Sequence, residues 1–181
     1  HLGTENAGMA VFGEGGFSNA IHRISQAQFK SRFVDDYQSM EGWMGIGAID
    51  DLSPQPLIIR SKFGTYALAA TGLITNRDEL TGKLLREGAS FTEMADGGVN
   101  NVELIAALIN RGEDIVDGIF QMQEVVRGSV CLLLMAEDGI YAARDRYGRF
   151  PLVIGRRIGR DGNPDGYAAA TESCSFPNLG Y

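Results

Sequence analysis

The 181-residue sequence is poor in the residues that build disulfide frameworks and histidine sites, with only 2 cysteines and 2 histidines. Cys131 and Cys174 form neither a framework nor a CxxC pair, which favours a reduced, cytoplasmic protein. His1 and His22 lie far along the sequence from any cysteine or acidic cluster. We therefore predict no metal site, no Ser–His–Asp triad and no cofactor.

Long apolar runs and an excess of positive charge are also missing. No apolar stretch approaches the ~20 residues of a membrane-spanning helix, and the first residues lack the pattern of a secretory signal. The formal net charge of −7 argues against nucleic acid as the main partner, because phosphate contacts require a basic face. The basic cluster of Arg156, Arg157 and Arg160 is typical of solvated residues beside a hairpin loop. We predict neither a nucleic-acid nor a membrane partner.

The composition, with 44% hydrophobic and 22% charged residues, is that of a soluble globular domain spanning residues 1–181. Helical spacing marks the middle of the chain, and Asn100 or Asn101 is placed to cap the third helix. The predicted helices are Gln26–Met40, Arg77–Glu87, Val102–Asn110 and Asp114–Val126. Apolar runs rich in β-branched and aromatic residues predict strands at Gly8–Phe12, Trp43–Ala48, Leu57–Arg60, Tyr66–Ala70, Ser129–Met135, Gly139–Ala143, Pro151–Gly155 and Tyr167–Thr171.

The order of these elements differs from the βαβα alternation of a parallel sheet. Asp138-Gly139, between two apolar runs, is a strong hairpin signal. We therefore predict an α+β domain with mostly antiparallel sheets and helices packed outside them.

Two local patterns look like ligand-binding motifs. One has the D-x-N-x-D-G-x5-E spacing of a calcium-binding loop, formed by Asp161, Asn163, Asp165, Gly166 and Glu172. That motif requires a helix on each side, whereas strands are predicted here, so we interpret the same residues as part of a polar hairpin loop rich in turn formers. The other pattern, Gly13, Gly15 and Gly16, lacks the Lys-Ser/Thr of a phosphate-binding loop and predicts a flexible turn.

The stretch LAATGLITNRDEL, Leu68–Leu80, predicts a strand, a turn at Gly72 and a helix. Thr75 and Asn76 each precede an acidic residue by three positions, which is the spacing of a capping box. Backbone donors exposed at such a turn can stabilise a developing negative charge.

Several segments resemble amidophosphoribosyltransferases, in the same order and at similar spacing from His1 to Tyr181. HLGTENAGMAVF resembles H-R-G-x-E-S-A-G, and GIGAIDDLSPQPL stands where that family has G-H-x-R-Y-S-T-T-G followed by Q-P-F. LAATGLITNRDEL resembles L-x-H-N-G-x-L-T-N-x-x-E-L, YAARDRYGRFPLVIG resembles A-R-D-P-x-G-x-R-P-L-x-x-G, and AATESCSF resembles A-S-E-S-C-A. The resemblance implies a class II glutamine amidotransferase domain of the N-terminal-nucleophile hydrolase type. Its expected fold is a four-layer αββα sandwich of two mostly antiparallel sheets.

In that family a cysteine at the mature N-terminus attacks the side-chain amide of glutamine, with its own α-amine as base. The resemblance implies that this chain starts after the strand carrying that cysteine and stops before any phosphoribosyltransferase domain. Neither Cys131 nor Cys174 corresponds to the nucleophile. By the same resemblance we expect a role in purine biosynthesis, and as partners a second copy of the chain or a C-terminal phosphoribosyltransferase-like domain.

The positions that bind the amino-acid head group of glutamine are altered. The family arginine that binds the α-carboxylate falls at Ala48, and Asp50 and Asp51, which follow it, would repel a carboxylate. The family aspartate that receives the α-ammonium falls at Asn101, which is neutral. Both charged contacts to the substrate are therefore predicted to be absent.

The oxyanion-hole positions of the family fall at Thr71 and Gly72. A threonine hydroxyl is shorter than the usual asparagine amide and supplies one donor. Losing one oxyanion donor typically lowers the rate ~10²–10³-fold, about 3–4 kcal/mol. Arg146 and Phe150 also depart from the family hairpin pattern, and we interpret them as surface and packing positions.

Our main hypothesis is a degenerate, non-catalytic glutaminase-type domain that acts as a scaffold, regulatory or ligand-binding module, with a small-molecule ligand lacking an amino-acid head group. The alternative is an active amidotransferase whose nucleophilic cysteine precedes His1 and whose substrate is glutamine or another amide recognised by Asp50, Asp51 or Asn101. A purely architectural subunit would instead expose a large apolar surface and no closed pocket.

Overall fold

A computed structural model of the protein describes residues 5–25, 29–92, 94–95 and 97–181. The strands in chain order are β1 (Asn6–Gly13), β2 (Gly16–Arg23), β3 (Met44–Asp50), β4 (Leu57–Ser61), β5 (Gly64–Ile74), β6 (Met94–Ala95), β7 (Gly98–Val99), β8 (Gly128–Ala136), β9 (Gly139–Arg144), β10 (Val153–Ile158) and β11 (Pro164–Ala170). The α-helices are α1 (Phe29–Arg32), α2 (Val34–Ser39), α3 (Arg77–Arg86), α4 (Asn101–Ile109) and α5 (Ile115–Val125). A short 3₁₀ turn, Pro177–Leu179, lies near the C-terminus.

Two antiparallel sheets lie between layers of helix, which confirms the predicted α+β sandwich. The first sheet has the order β2-β1-β3 and the second has the order β4-β5-β8-β9. Two further antiparallel pairs, β6 with β7 and β10 with β11, complete the strands of the described residues. Among the residues that the structure describes, no helix is both long and apolar enough to cross a bilayer.

Strand β5 contributes to both faces of the second sheet. Tyr66 and Leu68 face the helices, where they pack with the apolar side of α4, whereas Ala67 and Ala69 face the first sheet. This alternation follows from the two-residue period of a strand. The buried residues between the two sheets are Ala10, Ile46, Ala67, Ala69 and Met135. Both faces of β5 are therefore buried.

Strand β2 was not predicted, although the turn that precedes it was. The glycine-rich segment forms a tight hairpin in which Gly13 pairs with Gly16, and Gly16 has φ of 85°. The sequence of β2, GFSNAIHR, mixes Ser, Asn and His with few apolar residues, and much of the strand is exposed. Its apolar pattern is consequently too weak to identify a strand.

The predicted helix Gln26–Met40 is wrong as one continuous element. The described part consists of α1 and α2, with Phe33 between them at φ −106° and ψ 7°, and residues 26–28 lie outside the described residues. Phe33 is buried and packs edge-on against His22 of β2, with ring centroids 4.8 Å apart. The Nε2 atom of His22 lies 2.6 Å from the carboxylate of Asp36. These contacts hold the short helices against the first sheet.

The structure shows which residue caps α4, and it shows that the capping box predicted for α3 is wrong. Asn100 caps α4, because its Oδ1 atom accepts a hydrogen bond from the backbone N–H of Val102 at 2.8 Å. The capping box predicted for α3 does not form. Asn76 instead donates to the carbonyl of Val125 at 3.0 Å and accepts from the backbone N–H of Arg127 at 2.9 Å.

Thr75 joins the same connection, since its hydroxyl donates to the carbonyl of Arg127 at 2.8 Å. The two residues thus link the start of α3 to the segment between α5 and β8.

The polar loop with calcium-like spacing joins β10 to β11, as the hairpin interpretation predicts. Asp165 accepts a hydrogen bond from Arg157 at 2.8 Å, and Asp161 accepts from the backbone N–H of Asn163 at 3.1 Å. Glu172 lies beyond the end of β11 and lines a cavity elsewhere. Within the described residues, no group of three or more metal-ligating side chains is found.

Candidate functional site

Two adjoining cavities lie where β3, β5 and β8 come together. The larger, about 510 Å³, extends from β3 across β5 and β8 to the end of β11. The smaller, about 340 Å³, is lined by the segment after β3, the end of β5 and the start of α4. Ala70 and Thr71 line both cavities and therefore lie at their common wall.

The structure brings together the residues singled out in the sequence. Ala48 lines the larger cavity, Thr71 lines both, and the remaining candidates line the smaller cavity: Asp50, Asp51, Gly72 and Asn101. They come from three segments far apart in the chain, namely β3 with its following loop, β5, and the first turn of α4. The two-sheet fold and the packing of α4 on β5 produce this convergence.

The turn predicted at Gly72 is wrong, because β5 continues through this residue to Ile74. Gly72 pairs with Val130 of β8 and has φ of 139°, a conformation that favours glycine. A Cβ atom at this position would lie only 1.9 Å from the carbonyl oxygen of Ser129. The glycine therefore permits the close approach of β8, and the chain turns later, at Thr75 and Asn76.

The carboxylate of Asp50 is engaged within its own loop. It accepts hydrogen bonds from the backbone N–H groups of Leu52 at 2.7 Å and Ser53 at 3.3 Å. It also accepts from the side-chain amide of Gln55 at 2.7 Å. Asp50 thus fixes the loop that forms one wall of the smaller cavity.

Gln55 is a site residue to which the sequence analysis gave no role. Its side chain is buried, and its Oε1 atom accepts a hydrogen bond from the backbone N–H of Ala70 at 2.7 Å. Since Gln55 also bonds Asp50, it connects the loop after β3 to the residue that precedes Thr71. The Gln-Pro pair of the family pattern was the only sequence signal for this residue.

Asn100 and Asn101 complete the wall formed by α4. The Nδ2 atom of Asn100 donates to the carbonyl of Pro54 at 3.2 Å, which holds the helix start against the loop after β3. Asn101, the first residue of α4, has a buried side-chain oxygen that finds no hydrogen-bond partner among the described residues. Asp51, which also lines this cavity, accepts a hydrogen bond from the backbone N–H of Glu5 at 3.0 Å.

The charge around the two cavities is negative. Among the described residues that line them, there is no Lys, Arg or His, whereas Asp50, Asp51 and Glu172 contribute carboxylates. An anionic group in these cavities would therefore find no positively charged side chain along the described walls.

Both cysteines line the larger cavity, a proximity that their separation in sequence does not indicate. Cys131, in β8, is buried, and burial raises the pKa of its thiol; the nearby Arg144 lowers that pKa and Asp145 raises it. Cys174 is exposed, and its Sγ atom lies 3.7 Å from the carboxylate of Glu172. Neither thiol lines the smaller cavity beside Gly72.

Comparison with known proteins places this geometry in a family. The glutamine amidotransferase domain family matches residues 46–163. The amidophosphoribosyltransferase of Archaeoglobus fulgidus is 29% identical over 99% of this chain and 39% of its own length. That of Methanocaldococcus jannaschii is 31% identical over 86% of this chain and 34% of its own length.

Solved structures agree. The allosteric regulatory enzyme of purine biosynthesis superimposes with a TM-score of 0.81 at 26% identity, over 98% of this chain and 38% of that chain. Glutamine phosphoribosylpyrophosphate amidotransferase from B. subtilis, complexed with ADP and GMP, gives the same TM-score of 0.81. The chain thus spans less than two fifths of the length of these relatives. It belongs to the glutamine amidotransferase domain family, in the class II form found in amidophosphoribosyltransferases.

Proposed function

We propose that this chain is a glutaminase-type domain that does not hydrolyse glutamine. It acts instead as a scaffold, regulatory or ligand-binding module of an amidophosphoribosyltransferase-like protein. The observation that carries the proposal is the absence of Lys, Arg and His from the described walls of the two adjoining cavities. Glutamine carries an α-carboxylate that requires a cationic partner once it leaves water.

The free-energy argument favours loss of glutamine binding. An ion that leaves water without a partner costs several kcal/mol. Binding with a dissociation constant between 1 mM and 1 μM is worth only about 4–8 kcal/mol in total. With Ala48 in place of the arginine and Asn101 in place of the aspartate, both ends of the zwitterion lack their charged partner. This deficit is large enough to remove useful affinity.

The oxyanion position adds a second, independent loss. Thr71 supplies a hydroxyl at the wall shared by the two cavities, where the family has a longer amide. One missing oxyanion donor lowers the rate by roughly 10²–10³ even for a substrate that is bound. The missing charged partners weaken substrate binding, whereas the missing oxyanion donor slows the chemical step. Restoring the charged partners would therefore leave the slow chemical step unchanged.

The proposed ligand is a small molecule without an amino-acid head group, held in the smaller cavity. Its volume, about 340 Å³, lies at the low end of the roughly 300–1,000 Å³ usual for ligand pockets. The chain's share of its relatives' length supports a transferase-like domain as its partner in the natural protein, and purine biosynthesis as its setting. Self-association is proposed from the family resemblance alone.

One observation favours the rival function, an active amidotransferase. Among the described residues, β3 pairs only with β1 and β11 pairs only with β10, while residues of both strands line the larger cavity. A further strand seated between these edges would reach Thr71, and a cysteine at its start would supply the nucleophile. The mature N-terminal sequence of the natural protein distinguishes the two functions, since only an exposed cysteine there supports catalysis.

The direct test measures glutamate and ammonia release from glutamine by the protein at its natural length. An active amidophosphoribosyltransferase assayed in parallel provides the positive control. We expect a rate at least about 10³-fold below that control, because both the head-group partners and one oxyanion donor are missing. A turnover of ~1–10³ s⁻¹, the usual range for enzymes, would contradict the proposal and favour the rival.

A further inference from the structure

A third cavity lies at the C-terminal end of α5 and, among the described residues, shares only Val130 with the lining of the smaller cavity above. Its volume is about 260 Å³, and its charged lining residues are three arginines and two acidic residues: Arg127, Arg146, Arg149, Glu124 and Asp145. We propose that this cavity, here called the arginine groove, binds a phosphate group, either free or carried by a small organic molecule. The proposal is independent of glutamine binding, because Ala48, Asp50, Asp51, Thr71, Gly72 and Asn101 do not line the groove.

A tight turn after β9 presents Arg146 and Arg149 on the same side of the molecule. Asp145, which is buried, accepts hydrogen bonds from the backbone N–H groups of Tyr147 and Arg149, each at 3.0 Å. It accepts a longer one from Phe150 at 3.3 Å. The carboxylate of Asp145 therefore serves to shape the turn, and the arginines are fixed at their backbone.

The guanidinium groups are also held at their tips. The Cζ atoms of Arg146 and Arg149 lie 4.9 Å and 4.6 Å from the centre of the Tyr147 ring. Arg146 donates to the Tyr147 hydroxyl at 2.7 Å, and Arg149 donates to the carbonyl of Gly128 at 3.0 Å. Each guanidinium has five N–H donors, so these contacts leave donors for a ligand. Such preorganisation lowers the entropy lost on binding.

Arg127 approaches from the segment between α5 and β8. Its backbone is fixed by Asn76, and its side chain is exposed, with Nη1 3.3 Å from the carboxylate of Glu79. An exposed ion pair of this kind contributes little energy, so a ligand can compete for the guanidinium. Three arginines thus line one cavity. Guanidinium groups match the oxygens of a tetrahedral oxyanion, which accepts hydrogen bonds in several directions.

Negative groups near the arginine groove limit its affinity. Glu124 accepts a hydrogen bond from Arg146 at 3.0 Å, and the C-terminal end of α5 carries partial negative charge. Phosphate must therefore compete with Glu124 for Arg146, and we expect weak binding. The volume of about 260 Å³ lies below the usual range for drug-sized ligands, which favours a small ligand.

The test uses the natural-length protein and inorganic phosphate as the probe, with phenylglyoxal to modify arginines. Peptide mass spectrometry gives the modification rate of each arginine separately, so phosphate bound elsewhere in the protein does not confuse the result. We expect saturating phosphate to slow modification of Arg146 and Arg149 at least fivefold. Arg156 and Arg160, exposed in the β10–β11 hairpin, serve as internal controls and should change less than 1.5-fold. Chloride at equal ionic strength should protect none of the four.

Two variants test the site further. Arg127→Ala keeps the backbone contacts of the residue and should raise the phosphate concentration for half-protection at least threefold. Glu124→Gln removes the competing carboxylate and should lower that concentration at least threefold, which a purely structural arginine cluster would not show. Equal protection of Arg156 and Arg160, absence of protection, or no shift in either variant would overturn the proposal. Repeating the series with glycerol phosphate shows whether an organic phosphate binds more tightly than the free ion.

Discussion

Gln55 and Asp50 form a buried link beneath the candidate site. The side-chain amide of Gln55 donates to the carboxylate of Asp50 at 2.7 Å, while its oxygen accepts from the backbone of Ala70. The carboxylate of Asp50 is thus occupied by hydrogen bonds within the loop after β3, and this loop forms one wall of the smaller cavity. The link therefore connects this wall to β5.

Replacing Gln55 should therefore destabilise the domain. Gln55→Ala leaves the N–H of Ala70 and one oxygen of Asp50 without a partner, and we expect the free energy of unfolding in urea to fall by roughly 2–3 kcal/mol. Gln121→Ala is the matched control, since Gln121 is exposed on α5 and bonds only Asp117 among its described contacts. That change should stay within about 0.5 kcal/mol. Equal effects of the two substitutions would contradict a bridging role for Gln55.

Gly72 should tolerate no side chain. Gly72→Ala places a Cβ atom 1.9 Å from a backbone oxygen at a φ of 139°, so we expect a loss of roughly 2–5 kcal/mol in urea unfolding. Gly82→Ala, in the middle of α3, meets only the end of the Arg86 side chain at 3.5 Å. It should raise stability by about 0.5–1 kcal/mol through helix propensity. A harmless Gly72→Ala would show that β5 and β8 are not closely apposed there.

Tyr66 should make the domain sensitive to alkali. Burial raises the pKa of Tyr66 to about 12, and its buried hydroxyl has no hydrogen-bond partner within the part of the chain that the structure describes. In the unfolded chain the phenol ionises near pH 10, whereas in the folded chain it stays protonated until about pH 12. Ionisation of Tyr66 therefore costs no stability well below pH 10 and lowers the free energy of unfolding as the pH rises from 10 to about 12. By pH 11 this loss should reach ~1.4 kcal/mol.

Tyr66→Phe removes the titrating group. Urea unfolding at pH 7 should show equal stability or a gain of up to about 1 kcal/mol, because an unpartnered hydroxyl is removed. Between pH 9 and pH 11 the variant should lose ~1.4 kcal/mol less than the unchanged protein. Tyr37→Phe, at a side chain that is 81% exposed, should leave the pH dependence as it was. If Tyr66→Phe loses as much stability between pH 9 and pH 11 as the unchanged protein, Tyr66 is not the group responsible for the sensitivity to alkali.

The two thiols should differ in reactivity although they line one cavity. Cys174 is exposed, whereas Cys131 is buried and its thiol pKa is raised by that burial. A disulfide reagent at pH 8 should therefore titrate Cys174 quickly in the folded protein, and Cys131 only after unfolding. Cys174→Ser should abolish the fast phase and Cys131→Ser should preserve it. A fast phase that survives in Cys174→Ser would contradict the burial of Cys131.

The residue patterns were sufficient to predict an antiparallel α+β domain, whereas the sandwich arrangement followed from the family resemblance. The apolar run of β8 is buried along most of its length, and the Asp138-Gly139 turn predicts its pairing with β9. Strand β2 could not be found in the same way, since its face is half exposed and its residues have weak strand preference. The break of the first predicted helix at Phe33 likewise depends on packing against His22.

The site could be predicted in outline but not in its contacts. Family spacing brought Thr71, Gly72 and Asn101 together, and the structure places them around one cavity. Asn76, however, bonds the chain after α5 instead of capping α3, because a polar side chain chooses between local and distant partners only in the folded state. The arginine groove could not be predicted either, because Arg127 lies far in sequence from Arg146 and Arg149 and only the fold brings them to one cavity.

The most direct test of the central claim is calorimetric titration of the natural-length protein with L-glutamine. We predict no saturable binding up to about 10 mM, tenfold above the upper end of the usual ~1 μM–1 mM range of Michaelis constants. The double variant Ala48→Arg with Asn101→Asp restores both charges and should bind more tightly if the cavity has kept its shape. Saturable binding of glutamine to the unchanged protein at or below 1 mM would contradict the account.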